Sequence, residues 1–142
     1  MPPKHVVTDQ HMRVMAWVAP RVGLSLELMV PGVGIGVEQG GNLIAGAVFN
    51  RITSYSTEFH LAAVPGKTWG TRTFFKVCAE YPFLHLGVNR VTVHTRADNE
   101  DARRMTEHMG FKKEGVMRAA CRDGSDMIVY GLLKKDCRWI KP

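Results

Sequence analysis

Gly40-Gly41 constrains this chain more than any other pair of residues. Two successive glycines allow positive φ at both centres of a tight turn, and that geometry matches the twist of antiparallel strands. Apolar, strand-like runs flank the pair, over residues 33–38 and 42–51, so a hairpin is predicted there. A fold containing this hairpin needs further elements to cover it, and the rest of the sequence supplies them at two different periodicities.

Before the hairpin, residues 6–8 read as a short strand. Thr8 or Asp9 can then cap a helix running to about Ala19, because Met12, Met15, Ala16 and Val18 recur at helical spacing. Pro20 is placed to end that helix. After the hairpin, a loop near Ser54 leads to a strand over 57–64, stopped by Pro65-Gly66. Phe74, Val77, Cys78 and Tyr81 share one face of a predicted helix over 69–81, with Pro82 set to kink or end it and Gly87 to terminate it. Residues 90–95 alternate as a strand, a helix follows, and residues 111–119 and 127–133 read as two more strands. The order β-α-β-β-β-α-β-α-β-β predicts an α/β fold around a mixed sheet. Gly32, Gly34 and Gly36 lead into a strand and not a helix, so they are read as turn and strand-edge glycines and not as a dinucleotide loop.

Length and composition set the outer bounds. At 142 residues with 45% hydrophobic side chains, residues 1–142 are expected to form one domain with an ordinary core. No apolar run approaches the ~20 residues of a membrane span, and the first residues lack a signal-peptide pattern, so a cytoplasmic protein is expected. Cys78, Cys121 and Cys137 are odd in number and widely spaced, as reduced thiols would be, and the six histidines show no metal-ligand spacing, so no metal is expected. The net charge of +6 favours an anionic partner, such as nucleic acid, a nucleotide cofactor or an acidic surface. The basic residues are dispersed and no RNA-recognition strand motif is present, which disfavours nucleic acid.

One segment is more specific. Asn99 caps a helix in which Ala102, Met105 and Met109 face inward, and Gly110 closes it before Phe111. This Asn-x-x-Ala and Gly-Phe string, followed by Glu114-Gly115, Arg118 and Tyr130, resembles the C-terminal half of the GNAT N-acetyltransferases. The ending from Tyr130-Gly131-Leu132-Leu133 to Trp139 is similar to small phage-encoded members. The resemblance implies a GNAT-like fold: a central, mostly antiparallel sheet of six to seven strands, flanking helices and a splayed parallel strand pair, here 57–64 and 90–95. It also implies acetyl-CoA as cosubstrate, its pantetheine arm on main-chain groups of Ala62, Ala63 and Val64. The pyrophosphate would sit on Lys67, Trp69, Gly70, Thr71 and Arg72, where helix-start amides and glycines suit an anion. Arg72 stands where the family usually has a small residue, and the Trp-x-x-Arg arrangement of phage-type members implies that it grips the phosphates. Asn99 is implied beside the pantetheine arm, and Arg103 and Arg104 within reach of CoA phosphates.

Acetyl transfer to an amine needs a base for the ammonium and benefits from an acid for the leaving thiolate. Glu58 and His60 share one face of the strand that would flank the cleft, and His60 has an ordinary pKa near 6.5 suited to the task. Glu114 is a more remote alternative. The family commonly has Tyr seven residues after the Asn; here Thr106 stands there, leaving the acid unassigned. No cysteine has the setting of a nucleophile, so direct transfer to a primary amine (on a small molecule, a protein N-terminus or a lysine) is expected, with segment 20–31 helping to form the acceptor side. The alternative is a non-catalytic CoA-binding or macromolecule-binding module, and the chain is expected to be a monomer or homodimer.

Overall fold

The computed structural model describes residues 2–141. In chain order the elements are β1 (Lys4–Val7), α1 (His11–Arg21), β2 (Gly32–Gln39), β3 (Asn42–Asn50), β4 (Ser56–Ala63), α2 (Arg72–Glu80), β5 (Arg90–Arg96), α3 (Glu100–His108), β6 (Lys112–Met117) and β7 (Met127–Leu133). The strands form a seven-stranded sheet in the order β1-β2-β3-β4-β5-β7-β6. Every neighbouring pair is antiparallel except β4 and β5. No helix among the described residues is long and apolar enough to cross a membrane.

Two apolar layers hold the sheet. On one face Phe74, Cys78 and Phe83 of the α2 region meet Phe49, Phe59, Val91, Phe111 and Tyr130. On the other, Val14, Met15 and Val18 of α1 cover Leu43 and Val48 of β3 and meet Met29 of the following loop. Gly34 and Gly46 make that second contact possible. A Cβ on Gly34 would lie 2.6 Å from Val14 Cβ, and one on Gly46 2.7 Å from Val18 Cγ2, inside any tolerable separation. Gly32 opens β2, at the strand edge as expected, and Gly34 and Gly36 lie inside the strand. Their common face lets a helix approach closely.

Local boundaries moved for identifiable reasons. α1 begins at His11, not after Thr8 or Asp9, and Pro20 lies inside its last turn. Proline removes only its own amide, and Val22 N still reaches the Val18 carbonyl. The face it buries is Val14, Met15, Val18 and Ala19, while Met12 is 55% exposed. α2 starts at Arg72 because Thr71 Oγ1 accepts a hydrogen bond from Phe74 N, so Trp69 precedes the helix. Pro82 does not stop the chain turning: residues Tyr81–Leu86 form a wider π-helical turn, closed by Gly87 at φ +76°.

Candidate active site

β4 and β5 pair only through Ser56–Arg90, Thr57–Val91 and Glu58–Thr92. Beyond that point β4 runs on to Ala63 and β5 to Arg96 with no further pairing between them. The β4 main chain from Phe59 onward therefore has no strand partner on its β5 side, and the two strands open as a fork. Ladder groups left free in this way are donors and acceptors available to a ligand.

Strand alternation then sorts the side chains. Thr57 and Phe59 are buried, whereas Glu58, His60 and Ala62 point to the α1 side of the sheet. His94 on β5 projects to the same side, its Nδ1 3.5 Å from Glu58 Oε1. Glu58 Oε2 also receives Arg51 Nε at 2.9 Å. His60 Nε2 lies 2.9 Å from Oδ1 of Asn50, a residue only 4% exposed. The Asn50 amide is itself oriented, because its Nδ2 donates to the Leu28 carbonyl at 3.1 Å. An amide oxygen only accepts, so Nε2 of His60 carries the hydrogen and Nδ1 keeps the lone pair. Burial, with the nearby His94 and Arg51, pushes the His60 pKa down to about 4, against the expectation of a value near 6.5. His60 is thus a neutral imidazole at pH 7.

The loop after β4 is built around the start of α2. Val64 N bonds the Ile44 carbonyl, and Gly66 turns the chain at φ +79°. Trp69 packs edge-on against Phe74 and Phe75, with ring centroids 6.0 and 5.9 Å away, so it props the loop. Gly70 faces the Phe75 ring, which a Cβ would approach to 3.2 Å. Lys67 and Arg72 are exposed and, among the described residues, neither has an acidic partner. Two free cations at a helix start suit an anion.

The α3 residues have partners of their own. Asn99 Oδ1 caps the helix at Ala102 N, 3.1 Å away. Arg103 donates to Tyr130 Oη and to the Ala97 carbonyl, each at 3.3 Å, and Tyr130 Oη donates to Glu107 at 2.7 Å. Arg104 pairs with Asp101 on the surface. Thr106 is buried and donates to the Ala102 carbonyl at 2.8 Å. Glu114 lies two strands from the fork, paired at 2.7 Å with Arg90 over the bare face of Gly131.

The fork thus brings together Glu58 and His60, both singled out by strand alternation, and adds Asn50, Arg51 and His94. A buried Asn ending an apolar strand was the available sequence signal for Asn50. Beside these residues opens a cavity of about 510 Å3, lined in part by Leu28, Val30, Asn50 and Arg51.

No family model matches the chain, and no curated protein does. Solved structures do. A point mutant of spermidine N-acetyltransferase SpeG from Vibrio cholerae superposes with a TM-score of 0.74 at 17% identity, over 97% of this chain and 96% of that one. Another mutant of that enzyme gives 0.75 at 16% identity, with the same coverage. A structure described as a probable acetyltransferase gives 0.69 at 18% identity, over 93% of each chain. At these identities the likeness establishes the fold, which is that of the GNAT N-acetyltransferases.

Proposed function

We propose that this GNAT-fold chain is an acetyl-CoA-dependent N-acetyltransferase, acting as a single domain in the cytoplasm and transferring acetyl directly to a primary amine. The observation that carries the reading is the fork past Glu58 and Thr92, with Glu58, His60 and His94 on its α1 side. The pantetheine arm would lie along the open end of β4 at Ala62 and Ala63 and pass Val64, whose own amide is taken by the Ile44 carbonyl. The first amides of α2, with Lys67, Gly70, Thr71 and Arg72, would hold the pyrophosphate, while Trp69 keeps their loop in place. Asn99 and Arg103 would flank the cofactor only through the atoms their present hydrogen bonds leave free. The ending of the chain keeps its likeness to phage-encoded members within this reading.

In the reaction, R-NH3+ and acetyl-CoA give the N-acetyl amine, CoA-SH and one proton. The amine nitrogen forms a bond to the acetyl carbonyl carbon as the carbon–sulfur bond breaks, and the electron pair leaves with sulfur. Glu58 supplies the negative charge that draws the ammonium to the fork. His60 offers Nδ1 as an acceptor for its proton, but with a pKa of about 4 it is a weak base, so it orients the amine and bulk water is the final proton acceptor. Thr106 is spent on the Ala102 carbonyl, so water protonates the thiolate, whose ordinary pKa of ~8.5 makes this easy. A covalent route through cysteine lacks a candidate among the buried thiols, since burial pushes both Cys78 and Cys137 up and away from the thiolate.

Calorimetric titration with acetyl-CoA tests the reading, with dephospho-CoA for comparison. Micromolar affinity, roughly −8 kcal/mol, is expected, weakened in Arg72→Ala and in Gly70→Asp. Absence of binding at millimolar ligand would refute it. The buried Thr106 hydroxyl favours one second reading, a non-catalytic CoA-binding or macromolecule-binding module; binding without turnover would select it.

A further inference from the structure

The cavity beside the fork says more about the acceptor. Its volume of about 510 Å3 falls within the range of small-molecule sites. Leu28, Val30, Pro31, Val33 and Ile52 form its apolar walls. Leu28, Val30 and Ile52 are exposed at 59%, 39% and 39% although each is a large apolar side chain. Single exposed apolar residues are ordinary, but three converging on one opening form a surface that a ligand would cover.

Two residues of its lining touch the reacting groups. Asn50 lines it and holds His60, and Arg51 lines it and holds Glu58. Its ionisable lining is one carboxylate, Glu27, and one guanidinium, Arg51. Beyond the Glu58 carboxylate that a reacting ammonium would take, Glu27 is the one remaining carboxylate, so a polyamine's further ammonium groups would meet apolar wall and the positive charge of Arg51. Arg51 has a left-handed backbone at φ +48°, uncommon for a residue with a side chain, and its guanidinium sits on the carboxylate that an ammonium would seek.

Resting on the acetyltransferase reading, we propose that the acceptor is a primary monoamine with an alkyl or aralkyl body. The apolar body fills the cavity, and the ammonium takes Glu58 over from Arg51. Selectivity against polyamines then comes from the walls and from Arg51 together.

Initial rates of thiol release from acetyl-CoA by the full chain test this, with 2-phenylethylamine, hexylamine and spermidine as acceptors. The expected kcat/KM for 2-phenylethylamine is at least tenfold above that for spermidine. Ile52→Asp should raise the KM for 2-phenylethylamine about tenfold with the affinity for acetyl-CoA unchanged, and Arg51→Ala should raise kcat/KM for spermidine. Equal or better use of spermidine by a chain that binds acetyl-CoA overturns the inference alone. So does an Ile52→Asp variant that leaves KM unmoved, or one that instead splits a dimer, which would make the apolar rim a subunit contact. Binding of acetyl-CoA with none of the three amines acetylated overturns it in favour of the non-catalytic reading. Failure to bind acetyl-CoA overturns the acetyltransferase reading itself.

Discussion

Acidification below pH 6.5 should destabilise this protein through His60. The unfolded imidazole takes a proton near pH 6.5, while in the folded chain burial, His94 and Arg51 hold the pKa at about 4. Between those values the unfolded chain binds more protons, so the stability contributed by neutral His60 is complete above pH 6.5 and is lost as the pH falls towards 4. A gap of about 2.5 pH units at roughly 1.4 kcal/mol each sets a total near 3.5 kcal/mol, of which about 2 kcal/mol is lost by pH 5. With an m-value of ~2 kcal/mol/M, that is a fall of roughly 1 M in the urea midpoint. Urea unfolding at pH 7, 5 and 4 should be compared between the parent and His60→Gln, whose side-chain amide can still donate to Asn50 Oδ1. The parent should lose the extra ~2 kcal/mol between pH 7 and 5, and the variant should not. Parallel losses in the two proteins would show that His60 is not held neutral, and with it the Asn50-directed tautomer would fall. The rate should follow the same logic: activity that depends on His60 persists well below pH 6.5.

Three further outcomes are expected. Gly34→Ala forces a methyl against Val14 and should cost about 1–3 kcal/mol in urea unfolding, because α1 has no room to retreat over β2. Thr106→Val removes one buried donor whose acceptor keeps its helical partner, so stability should fall by roughly 1 kcal/mol and turnover should stay within twofold; a much larger loss of turnover would make that hydroxyl catalytic. With a disulfide reagent at pH 8, the native chain should react at Cys121 alone, and buried Cys78 and Cys137 should react only after denaturation.

Much of the fold was legible because it is written in short-range patterns. The Gly40-Gly41 turn, the strand over Met127–Leu133 and the helix between Asn99 and Gly110 each depend on residues within a few positions of one another. The errors came from tertiary contacts. The predicted strand over 33–38 contains Gly34, but nothing local shows that Val14 packs above it, and Met12 matches a helical stripe that α1 does not bury. The site followed the same division. Alternation put Glu58 and His60 on one face, but only the packed sheet reveals that Asn50 and Arg51, on the neighbouring strand and its turn, engage them. The lowered pKa of His60 likewise comes from its surroundings, which a strand pattern does not contain.

The unfinished pairing between β4 and β5 has a consequence for abundance as well as chemistry. A ligand that hydrogen-bonds to the open β4 edge acts as a missing strand, present only in the native state, and so shifts the folding equilibrium by mass action. At a hundred times its Kd, such a ligand adds about 2.7 kcal/mol, a sizeable share of the stability of a domain this small. In the proposed reading the chain would therefore resist proteolysis in proportion to the acetyl-CoA around it, and its lifetime would rise and fall with the acyl-donor supply it draws upon.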